Sequence, residues 1–299
     1  MTLLERIEAV GYDPAAVERE DVVSCNLCEA TQFVELGRRD RYGYDCRLMA
    51  CARCGLGFIT PRPTAAAYGA FYRDVYRPLV SAYHGRRIDA ETVQEEQRAY
   101  ADDLRVFLER TLRRRPGSVL DIGGSTGVVG AAFRDSSTAI TVLDPAPDEL
   151  EVAAQAGLET VEGFAEDFDP AGRTWDLVLL CQTIDHLLDV RATLAAIRRF
   201  IGDEGAAFVD VLDVAWVLAS RGVIEDSYKV DHPYYLTRAT ARAYFEKVGL
   251  GVTAERMADD GHWGFVLVAV EPSEPDWTQL RLEADAFLGD VWRRRAESG

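Results

Sequence analysis

The sequence lacks any long run of apolar residues. No stretch of its 299 residues approaches the roughly 20 consecutive apolar residues that a membrane-spanning helix needs. The N-terminus, MTLLERIEAVGYDP, carries Glu5, Arg6 and Glu8, so it lacks the basic and then apolar order of a secretory signal peptide. These absences predict a cytoplasmic protein that has no membrane partner.

Positive charge is also scarce. The chain has 33 Lys and Arg residues against 50 Asp and Glu residues, which gives a formal net charge of −17. Nucleic-acid binding depends on Lys and Arg side chains that neutralise phosphates. The composition therefore disfavours a nucleic-acid partner and favours a small-molecule substrate, while it leaves the oligomeric state open.

Short apolar segments and helical segments alternate along the second half of the chain. Seven segments have the pattern of strands: SVLDIG, AITVLD, LETVEG, WDLVLLCQ, AAFVDVLD, GVTAERM and HWGFVLVAV. Such alternation is typical of an α/β fold, in which helices cover both faces of a mostly parallel sheet. The last two strands follow each other closely, as expected of an antiparallel pair.

We expect four segments in the chain. Residues 1–63 hold a lead helix and a cysteine-rich ribbon (residues 21–63), and residues 64–115 form a helical lid with aromatic side chains at helical spacing. Residues 116–272 form the α/β domain, and residues 273–299 form a C-terminal helix.

The segment VLDIGGSTGVVG predicts a ligand-binding loop. An apolar strand ends at Asp121, a turn of small residues follows, and a helix then begins. Small residues let a backbone approach a ligand, and a helix N-terminus offers free N–H groups. The next strand ends at Asp144, where a carboxylate accepts hydrogen bonds from ribose hydroxyls. Dinucleotide-binding enzymes use glycine loops as well, so the loop alone is a weak signal.

The loop resembles the DxGxGxG loop of class I S-adenosylmethionine-dependent methyltransferases, and the resemblance covers about residues 100–270. It implies a Rossmann-like seven-stranded sheet whose last strand is antiparallel. Ser125 replaces the middle glycine, a mild departure unless this position needs a positive φ. The resemblance also implies that S-adenosylmethionine is bound by the loop, by the residues after the second strand and by residues after the third and fourth strands: Asp121, Gly123, Gly124, Ser125, Gly127, Asp144, Pro145, Glu166, Asp167 and Gln182.

Four cysteines near the N-terminus have the spacing of a metal site. Cys25, Cys28, Cys51 and Cys54 form two CxxC pairs with 22 residues between them. Two such pairs can supply four thiolates to one tetrahedral zinc ion, and a disulfide is disfavoured in a reducing cytosol. Because the protein fills all four positions, we predict a structural zinc. Cys46, on the same hairpin, is predicted to be a buried small residue.

The segment CARCGLGFITPRP extends this pattern to CxxC…CxxCGxxF ahead of a methyltransferase domain. This arrangement resembles bacterial sugar methyltransferases, with the deoxysugar C-methyltransferases as the nearest group. The resemblance implies a sugar or sugar-nucleotide acceptor near the zinc segment and the aromatic helices, contacted by Tyr76, Tyr83 and His84. Those enzymes carry a further C-terminal domain, whereas this sequence ends soon after the expected last strand. C-, O- and N-methylation therefore all stay open.

A sugar hydroxyl needs a base before it can attack a methyl group, and histidine is the usual base near neutral pH. Only four histidines are present, His84, His186, His232 and His262. In YKVDHPYYLT, the Asp231–His232 pair resembles the EH pair of the sugar C-methyltransferases, which implies that His232 is the base. His186 follows the fourth strand and can also face the methyl group, and His262 lies where it can reach the mouth of the site. A loop-fixing role for His232 and a shaping role for His186 are the alternatives.

Three other functions stay open. The first is a natural-product O- or N-methyltransferase with a non-sugar acceptor. The second is a non-catalytic S-adenosylmethionine-binding protein. The third is an RNA-binding or RNA-methylating protein that uses the ribbon as a clamp, because the ribbon is locally basic through Arg38, Arg39, Arg41, Arg47 and Arg53.

Overall fold

The computed structural model describes residues 1–88 and 90–298. The first 63 residues contain one short helix and five short strands, namely α1 (Leu3–Glu8), β1 (Arg19–Glu20), β2 (Phe33–Arg39), β3 (Asp45–Cys51), β4 (Gly57–Ile59) and β5 (Arg62–Pro63). The lid then supplies three helices, α2 (Ala65–Asp74), α3 (Tyr76–His84) and α4 (Ala90–Leu112).

The remaining chain alternates strands and helices as expected. Its first half contains β6 (Ser118–Ile122), α5 (Val128–Ala131), β7 (Ala139–Asp144), α6 (Pro147–Gln155), β8 (Glu159–Glu162), β9 (Leu177–Leu180) and a 3₁₀ turn at Ile184–His186. Its second half contains α7 (Val190–Phe200), β10 (Ala206–Leu212), α8 (Val214–Arg221), a 3₁₀ turn at Glu225–Ser227, β11 (Tyr234–Tyr235), α9 (Arg238–Val248), β12 (Leu250–Met257), β13 (His262–Ala269) and α10 (Trp277–Ser298).

Seven strands form the central sheet in the order β12-β13-β10-β9-β6-β7-β8. Strand β13 runs antiparallel to both of its neighbours, and the pairs among β10, β9, β6, β7 and β8 are parallel. All four residues of β9 are buried, as expected for a strand covered by helices on both faces. The predicted α/β fold and its antiparallel last strand are therefore confirmed.

A second, four-stranded sheet joins the ribbon to the far end of the chain. Its order is β11-β4-β3-β2, so a strand from the loop after β10 adds to the edge of the ribbon hairpin. Tyr234 pairs with Phe58 and Tyr235 pairs with Gly57 in antiparallel register. A Cβ at Gly57 would lie 2.9 Å from the Cβ of Tyr235, so only glycine lets the two strands approach this closely.

The carboxylate of Asp40 connects the ribbon to the same loop. It accepts backbone N–H bonds from Tyr42 and Tyr44 within the hairpin and from Val230 across the interface. Asp40 is almost fully buried, and burial raises its pKa to about 7 despite these donors. The loop ahead of β11 is therefore fixed by side-chain and backbone contacts with the ribbon.

The ribbon also docks on the helices of the α/β domain. The Asn26 side chain donates to Asp189, which caps α7, and accepts from the Tyr244 hydroxyl on α9. Arg53 stacks over the ring of Trp277 on α10. The four predicted zinc cysteines belong to one hydrophobic cluster with residues of the central sheet. The proposed division into four segments stays a prediction, with residue 299 outside the described part.

None of the helices in the described residues is long and apolar enough to cross a membrane.

Gly37 provides a test of the contact between the ribbon and this loop. A Cβ at Gly37 would lie 2.8 Å from the ring of Tyr228, which is fully buried and donates a hydrogen bond to the Cys46 carbonyl. We expect Gly37→Ala to lower the free energy of unfolding by about 1–3 kcal/mol, because the ring must shift within a packed interface. Urea denaturation measures the change.

The matched control is Gly69→Ala in α2, where no atom lies within 4 Å of the added carbon. Alanine favours a helix over glycine by about 1 kcal/mol, so this variant should be at least as stable as the wild type. Equal stability of Gly37→Ala and the wild type would contradict the close packing.

Candidate active site

The glycine loop between β6 and α5 wraps around a buried carboxylate. Asp121 is 1% exposed, and its Oδ2 accepts a hydrogen bond of 2.8 Å from the N–H of Gly130. Burial raises the pKa of Asp121 to about 7. A Cβ at Gly124 would lie 2.7 Å from the Asp121 carboxyl, and one at Gly123 would lie 2.6 Å from Thr183. Glycine is therefore required at both positions.

Ser125 adopts the left-handed conformation, with φ at +51°. The departure from glycine is therefore not mild, because a left-handed non-glycine residue costs about 1–2 kcal/mol. Two hydrogen bonds hold the residue in place: its N–H donates to Asp144 Oδ2 at 2.9 Å, and its Oγ donates to Glu149 at 2.8 Å. Arg77, on the lid helix α3, lies 3.6 Å from the same Glu149 carboxylate.

The ends of β7 and β8 lie side by side next to this loop, since the Gly163 N–H donates to the Asp144 carbonyl. The Asp144 carboxylate accepts two backbone N–H bonds and has about four acceptor positions, so it can accept further bonds from ribose hydroxyls. Phe164 is 49% exposed here and offers an aromatic face to a base. Of the two predicted cofactor-binding residues after β8, Glu166 accepts a hydrogen bond from Thr193 and Asp167 is exposed.

Gln182 and Pro145 border the same region. Gln182 follows β9 with a φ of +52°, and its N–H donates to the buried carboxylate of Asp210. Tyr100, on the lid helix α4, donates its hydroxyl to the other oxygen of Asp210. The Gln182 side chain and Pro145 are both exposed. The loop, the two strand ends and these flanking residues can hold a nucleoside-containing cofactor such as S-adenosylmethionine.

His232 forms a buried dyad with Asp185 rather than with its chain neighbour Asp231. Its Nδ1 lies 2.6 Å from Asp185 Oδ2, whereas its Nε2 lies 3.7 Å from Asp231 Oδ2. Burial lowers the pKa of His232 to about 4 although Asp185 opposes this change. Burial alone would raise the pKa of Asp185, but interactions with His232, His186 and Lys229 hold it below its usual value. The neutral ring thus donates from Nδ1 and leaves Nε2 without a proton.

Tyr72 on α2 connects His186 to the loop that carries His232. Its single hydroxyl proton goes to the Asp231 carbonyl, 2.7 Å away, so its oxygen accepts from His186 Nδ1 at 2.6 Å. His186 therefore carries a proton on Nδ1. The rings of His186 and His232 meet edge to face with centroids 4.4 Å apart. The structure therefore brings the two predicted catalytic histidines together.

Asp231 is a buried carboxylate with an ionic partner. Its side chain is 0% exposed, and Lys229 Nζ lies 3.1 Å from Oδ2. Neither of its oxygens accepts a hydrogen bond from the described residues. Burial would raise its pKa, but Lys229 and the two histidines hold it below the usual value. A negative charge therefore lies beside the unprotonated Nε2 of His232.

A cavity of about 30 Å³, room for a water-sized group, adjoins this dyad. Asp185 and His232 form part of its wall. The other residues around it come from the ribbon, the end of β10, α8, the following loop and β11. The charged and tyrosine residues among them are Arg41, Arg221, Lys229, Tyr234 and Tyr235.

The predicted substrate residues lie apart from this wall. Tyr76 packs against Tyr72, Tyr83 packs against Tyr42 of the ribbon, and His84 is exposed at the end of α3. His262, at the start of β13, has its Nδ1 3.1 Å from Asp260. Their roles stay predictions.

Comparison with known proteins supports the interpretation of the fold. Residues 93–255, more than half of the chain, match a family model described as a methyltransferase domain. The chain belongs to this methyltransferase family.

Individual relatives of this methyltransferase are distant. The C-methyltransferase NovU of Streptomyces niveus is 26% identical over 211 residues, which cover 68% of this chain and 49% of NovU. The solved structure of an S-adenosylmethionine-dependent methyltransferase from Clostridium acetobutylicum is similar, with 12% identity and a TM-score of 0.50. The match covers 68% of this chain and 99% of that protein. The PH0226 protein from Pyrococcus horikoshii has 18% identity and a TM-score of 0.51. The match covers 58% of this chain and 91% of PH0226. The methyltransferase spans about half or less of the length of the curated relatives that it matches.

The cysteine cluster of the methyltransferase has the geometry of a tetrahedral metal site. The sulfurs of Cys25 and Cys54 are 3.6 Å apart, those of Cys28 and Cys51 are 3.4 Å apart, and all four lie within 4.8 Å of one another. Zinc–thiolate bonds of about 2.3 Å place the sulfurs of a tetrahedron about 3.8 Å apart. The four residues therefore fit a zinc ion, which would cross-link the two CxxC turns.

The two CxxC turns have matching backbones. The N–H of Glu29 donates to the Cys25 carbonyl, and the N–H of Gly55 donates to the Cys51 carbonyl, each at 2.9 Å. Both donors have positive φ. Cys46 lies outside the cluster and is fully buried, which confirms its predicted burial.

Sequence reasoning missed Asp185, Tyr72, Phe164 and Arg41 as residues of the site. Asp185 directly precedes His186 after a predicted strand, so its position was a usable signal. Tyr72 was seen only as part of an aromatic helix face, and Arg41 only as part of a basic ribbon. Their roles depend on contacts with distant segments, which the sequence pattern does not contain.

We expect the purified methyltransferase to hold one zinc ion per chain, and the double variant Cys51→Ser/Cys54→Ser to hold none. Loss of a structural metal should lower the free energy of unfolding by more than about 4 kcal/mol. Elemental analysis and chemical denaturation measure the two effects. Cys181→Ser, outside the cluster, is the control and should keep its zinc. Full metal content in the double variant would contradict the assignment of the ligands.

Proposed function

We propose that the protein transfers a methyl group from S-adenosylmethionine to a small-molecule acceptor, with His232 as general base. The Asp185–His232 dyad beside the cavity carries the proposal. Its unprotonated imidazole nitrogen lies behind the wall of this cavity, near the carboxyl ends of the strands that hold the glycine loop. In open α/β sheets, ligands bind at this edge of the sheet.

The residues of the dyad have distinct tasks in this reaction. S-adenosylmethionine supplies an electrophilic methyl group. His232 Nε2 accepts the proton of the acceptor atom, which would attack the methyl carbon as the methyl–sulfur bond breaks and S-adenosylhomocysteine leaves. Asp185 accepts the Nδ1–H bond, which fixes the tautomer and orients the ring. The Asp231 carboxylate, 3.7 Å from Nε2, stabilises the positive charge that the ring gains.

The base is closed off from water. His232 Nε2 has no exposed surface and no hydrogen-bond partner among the described residues. An acceptor therefore contacts Nε2 only after neighbouring side chains move, and the lid helix α2, which carries Tyr72, adjoins this position. Exclusion of water strengthens the electrostatic interactions of the site and prevents competing proton transfer.

We infer that the acceptor is a sugar, most simply a nucleotide-linked one. Support comes from the polar and tyrosine-lined cavity and from the similarity to a C-methyltransferase over 68% of this chain. The ribbon contributes to the cavity wall, as the resemblance to sugar methyltransferases implies. A non-sugar acceptor methylated on oxygen or nitrogen is the alternative, and product analysis separates the two.

The environment of the ribbon arginines argues against an RNA clamp. Arg47 donates to the Thr60 carbonyl, Arg53 stacks over Trp277, and Arg41 lies over Tyr83. Arg38 pairs with Glu35 at 2.8 Å, so four of the five arginines interact with the protein itself. An RNA-binding surface would need their charges to be exposed along one face.

The experiment that tests the function is methyl transfer to a panel of sugar nucleotides, with mass spectrometry of the products, in the wild type and in Asp185→Asn. We expect the wild type to methylate at least one acceptor and kcat to fall about 10²- to 10⁴-fold in Asp185→Asn. The amide removes the charge that fixes the tautomer of His232 and stabilises its protonated form.

Asp203→Asn is the matched control, because the Asp203 side chain is 95% exposed and does not line the cavity. S-adenosylhomocysteine should raise the Tm of all three proteins, which shows that Asp185→Asn is folded. A kcat for Asp185→Asn within a few-fold of the wild-type value would contradict the role of the Asp185–His232 dyad.

The pH dependence of the reaction should reflect the lowered pKa of His232. A histidine is active as a base only when neutral, so a pKa of about 4 keeps it active at every pH above that value. We expect kcat/KM to stay level from about pH 8 to pH 5 and to fall at lower pH. An ordinary histidine would lose half of its activity near pH 6.5. A midpoint at pH 6–7 in wild-type kcat/KM would contradict the buried neutral base.

A further inference from the structure

A buried carboxylate outside the dyad lies in the middle of the central sheet. Asp210 is a residue of β10, is 2% exposed, and lies opposite Gly264 of β13. Burial raises its pKa, although the hydrogen bonds that it accepts act in the opposite direction. A carboxylate in such a position is costly unless hydrogen bonds compensate for the loss of water. The groups that donate to Asp210 therefore indicate what it holds in place.

Two donors reach this carboxylate from segments that are far apart in the chain. Its Oδ1 accepts the backbone N–H of Gln182, in the loop after β9. Its Oδ2 accepts the hydroxyl of Tyr100 on the lid helix α4, at 2.6 Å and 110 positions earlier in the chain. Asp210 thus joins the lid helix to the loop after β9.

The bond to Gln182 stabilises an unfavourable backbone conformation. Gln182 has a φ of +52°, in the left-handed region that residues with a Cβ rarely adopt. Such strain persists only where the surrounding structure holds it, and it is concentrated at ligand sites. A hydrogen bond to a charged acceptor is stronger than one to a neutral acceptor. The carboxylate of Asp210 is therefore well suited to hold this N–H.

The loop after β9 borders both halves of the active site. Gln182 is followed by Thr183, which packs so closely on the glycine loop that a Cβ at Gly123 would lie 2.6 Å from its side chain. Two residues further on, Asp185 holds His232 Nδ1 at 2.6 Å. The orientation of the Gln182 backbone therefore affects the edge of the cofactor site first and the dyad next.

We propose that Asp210 is a positioning residue for the cofactor: its carboxylate, itself oriented by Tyr100, fixes Gln182 in the conformation that borders the cofactor site. The proposal rests on the proposed function for the identity of the cofactor. Asp210 acts through the backbone of Gln182, because its two oxygens accept from the two donors. Tyr100 makes the lid helix part of this arrangement, so the helix influences cofactor affinity through one hydroxyl.

The lid helix has other contacts that keep it docked without this hydroxyl. Leu104 and Leu108 are fully buried in a cluster that includes Val129 of α5. Asp103 lies 2.7 Å from Arg256 of β12. Removal of the Tyr100 hydroxyl should therefore loosen the carboxylate and Gln182 and leave the helix in place.

The test measures binding of S-adenosylhomocysteine to the full chain by isothermal titration calorimetry. We expect Tyr100→Phe to raise Kd about 5- to 50-fold, because Asp210 Oδ2 loses its donor and the carboxylate is no longer held in one orientation. Asp210→Ala removes both hydrogen bonds and should raise Kd at least as much. Asp210→Asn keeps an oxygen for the Gln182 N–H, so its Kd should fall between those of the wild type and Asp210→Ala.

Amide hydrogen exchange in the unliganded protein reports on the loop directly. Residues 181–186 should exchange faster in Tyr100→Phe than in the wild type, because the Gln182 N–H is less firmly held. A purely structural role of the hydroxyl would lower the Tm and leave both the exchange of this loop and the Kd at their wild-type values.

Tyr244→Phe is the matched control. Tyr244 is fully buried on α9, and its hydroxyl donates to Asn26 of the ribbon at 2.9 Å. This variant also loses one tyrosine hydroxyl and its hydrogen bond to a side chain, but the bond lies at the junction of α9 with the ribbon. It should bind S-adenosylhomocysteine with the wild-type Kd.

A Kd within two-fold of the wild-type value in Tyr100→Phe or in Asp210→Ala would overturn the proposal, as would an equal loss of affinity in Tyr244→Phe. If Asp210→Ala does not fold, Tyr100→Phe and Asp210→Asn decide the question. Failure of the wild type to bind S-adenosylhomocysteine would instead contradict the proposed function, so the two failures are distinguishable.

Discussion

The pairing of β4 with β11 is the constraint on which the site depends. It joins the loop that carries Asp231 and His232 to the ribbon hairpin, and the carboxylate of Asp40 reinforces the junction by accepting the Val230 N–H. A loop on the edge of an α/β sheet would otherwise be mobile. Here it is part of a second sheet, so the position of the base is set by a rigid element and by the packing of Tyr228 against Gly37.

Burial controls the chemistry of this loop. It removes His232 from water, which favours the neutral ring, and it keeps the negative charges of Asp185 and Asp231 close enough to stabilise the ring once it gains a proton. The same low-dielectric environment makes unpaired charge expensive. The site therefore balances the carboxylates of Asp185 and Asp231 against the charge of Lys229.

Sequence patterns predicted the features that local chemistry determines. Hydrophobic runs predicted the seven strands of the central sheet, and CxxC spacing predicted that four cysteines lie together. The structure contains the seven strands and brings the four cysteines together. The glycine loop was predicted, but the positive φ of Ser125 was not, because serine is rare in that conformation. The pairing of His232 with Asp185 instead of Asp231 also escaped prediction. It depends on how two loops meet in three dimensions, and adjacency in the chain pointed to the wrong carboxylate as the closest partner.

The four-stranded sheet also has a consequence for the order of assembly. Its edge strand lies at Tyr234–Tyr235, whereas its other three strands are complete by residue 59. During synthesis the ribosome releases the ribbon hairpin long before it releases β11, so the edge of β4 stays unpaired through most of translation. Contacts of such high sequence separation form late and slowly. A metal that closes the two CxxC turns early would keep the nascent hairpin in register until the loop with the base arrives.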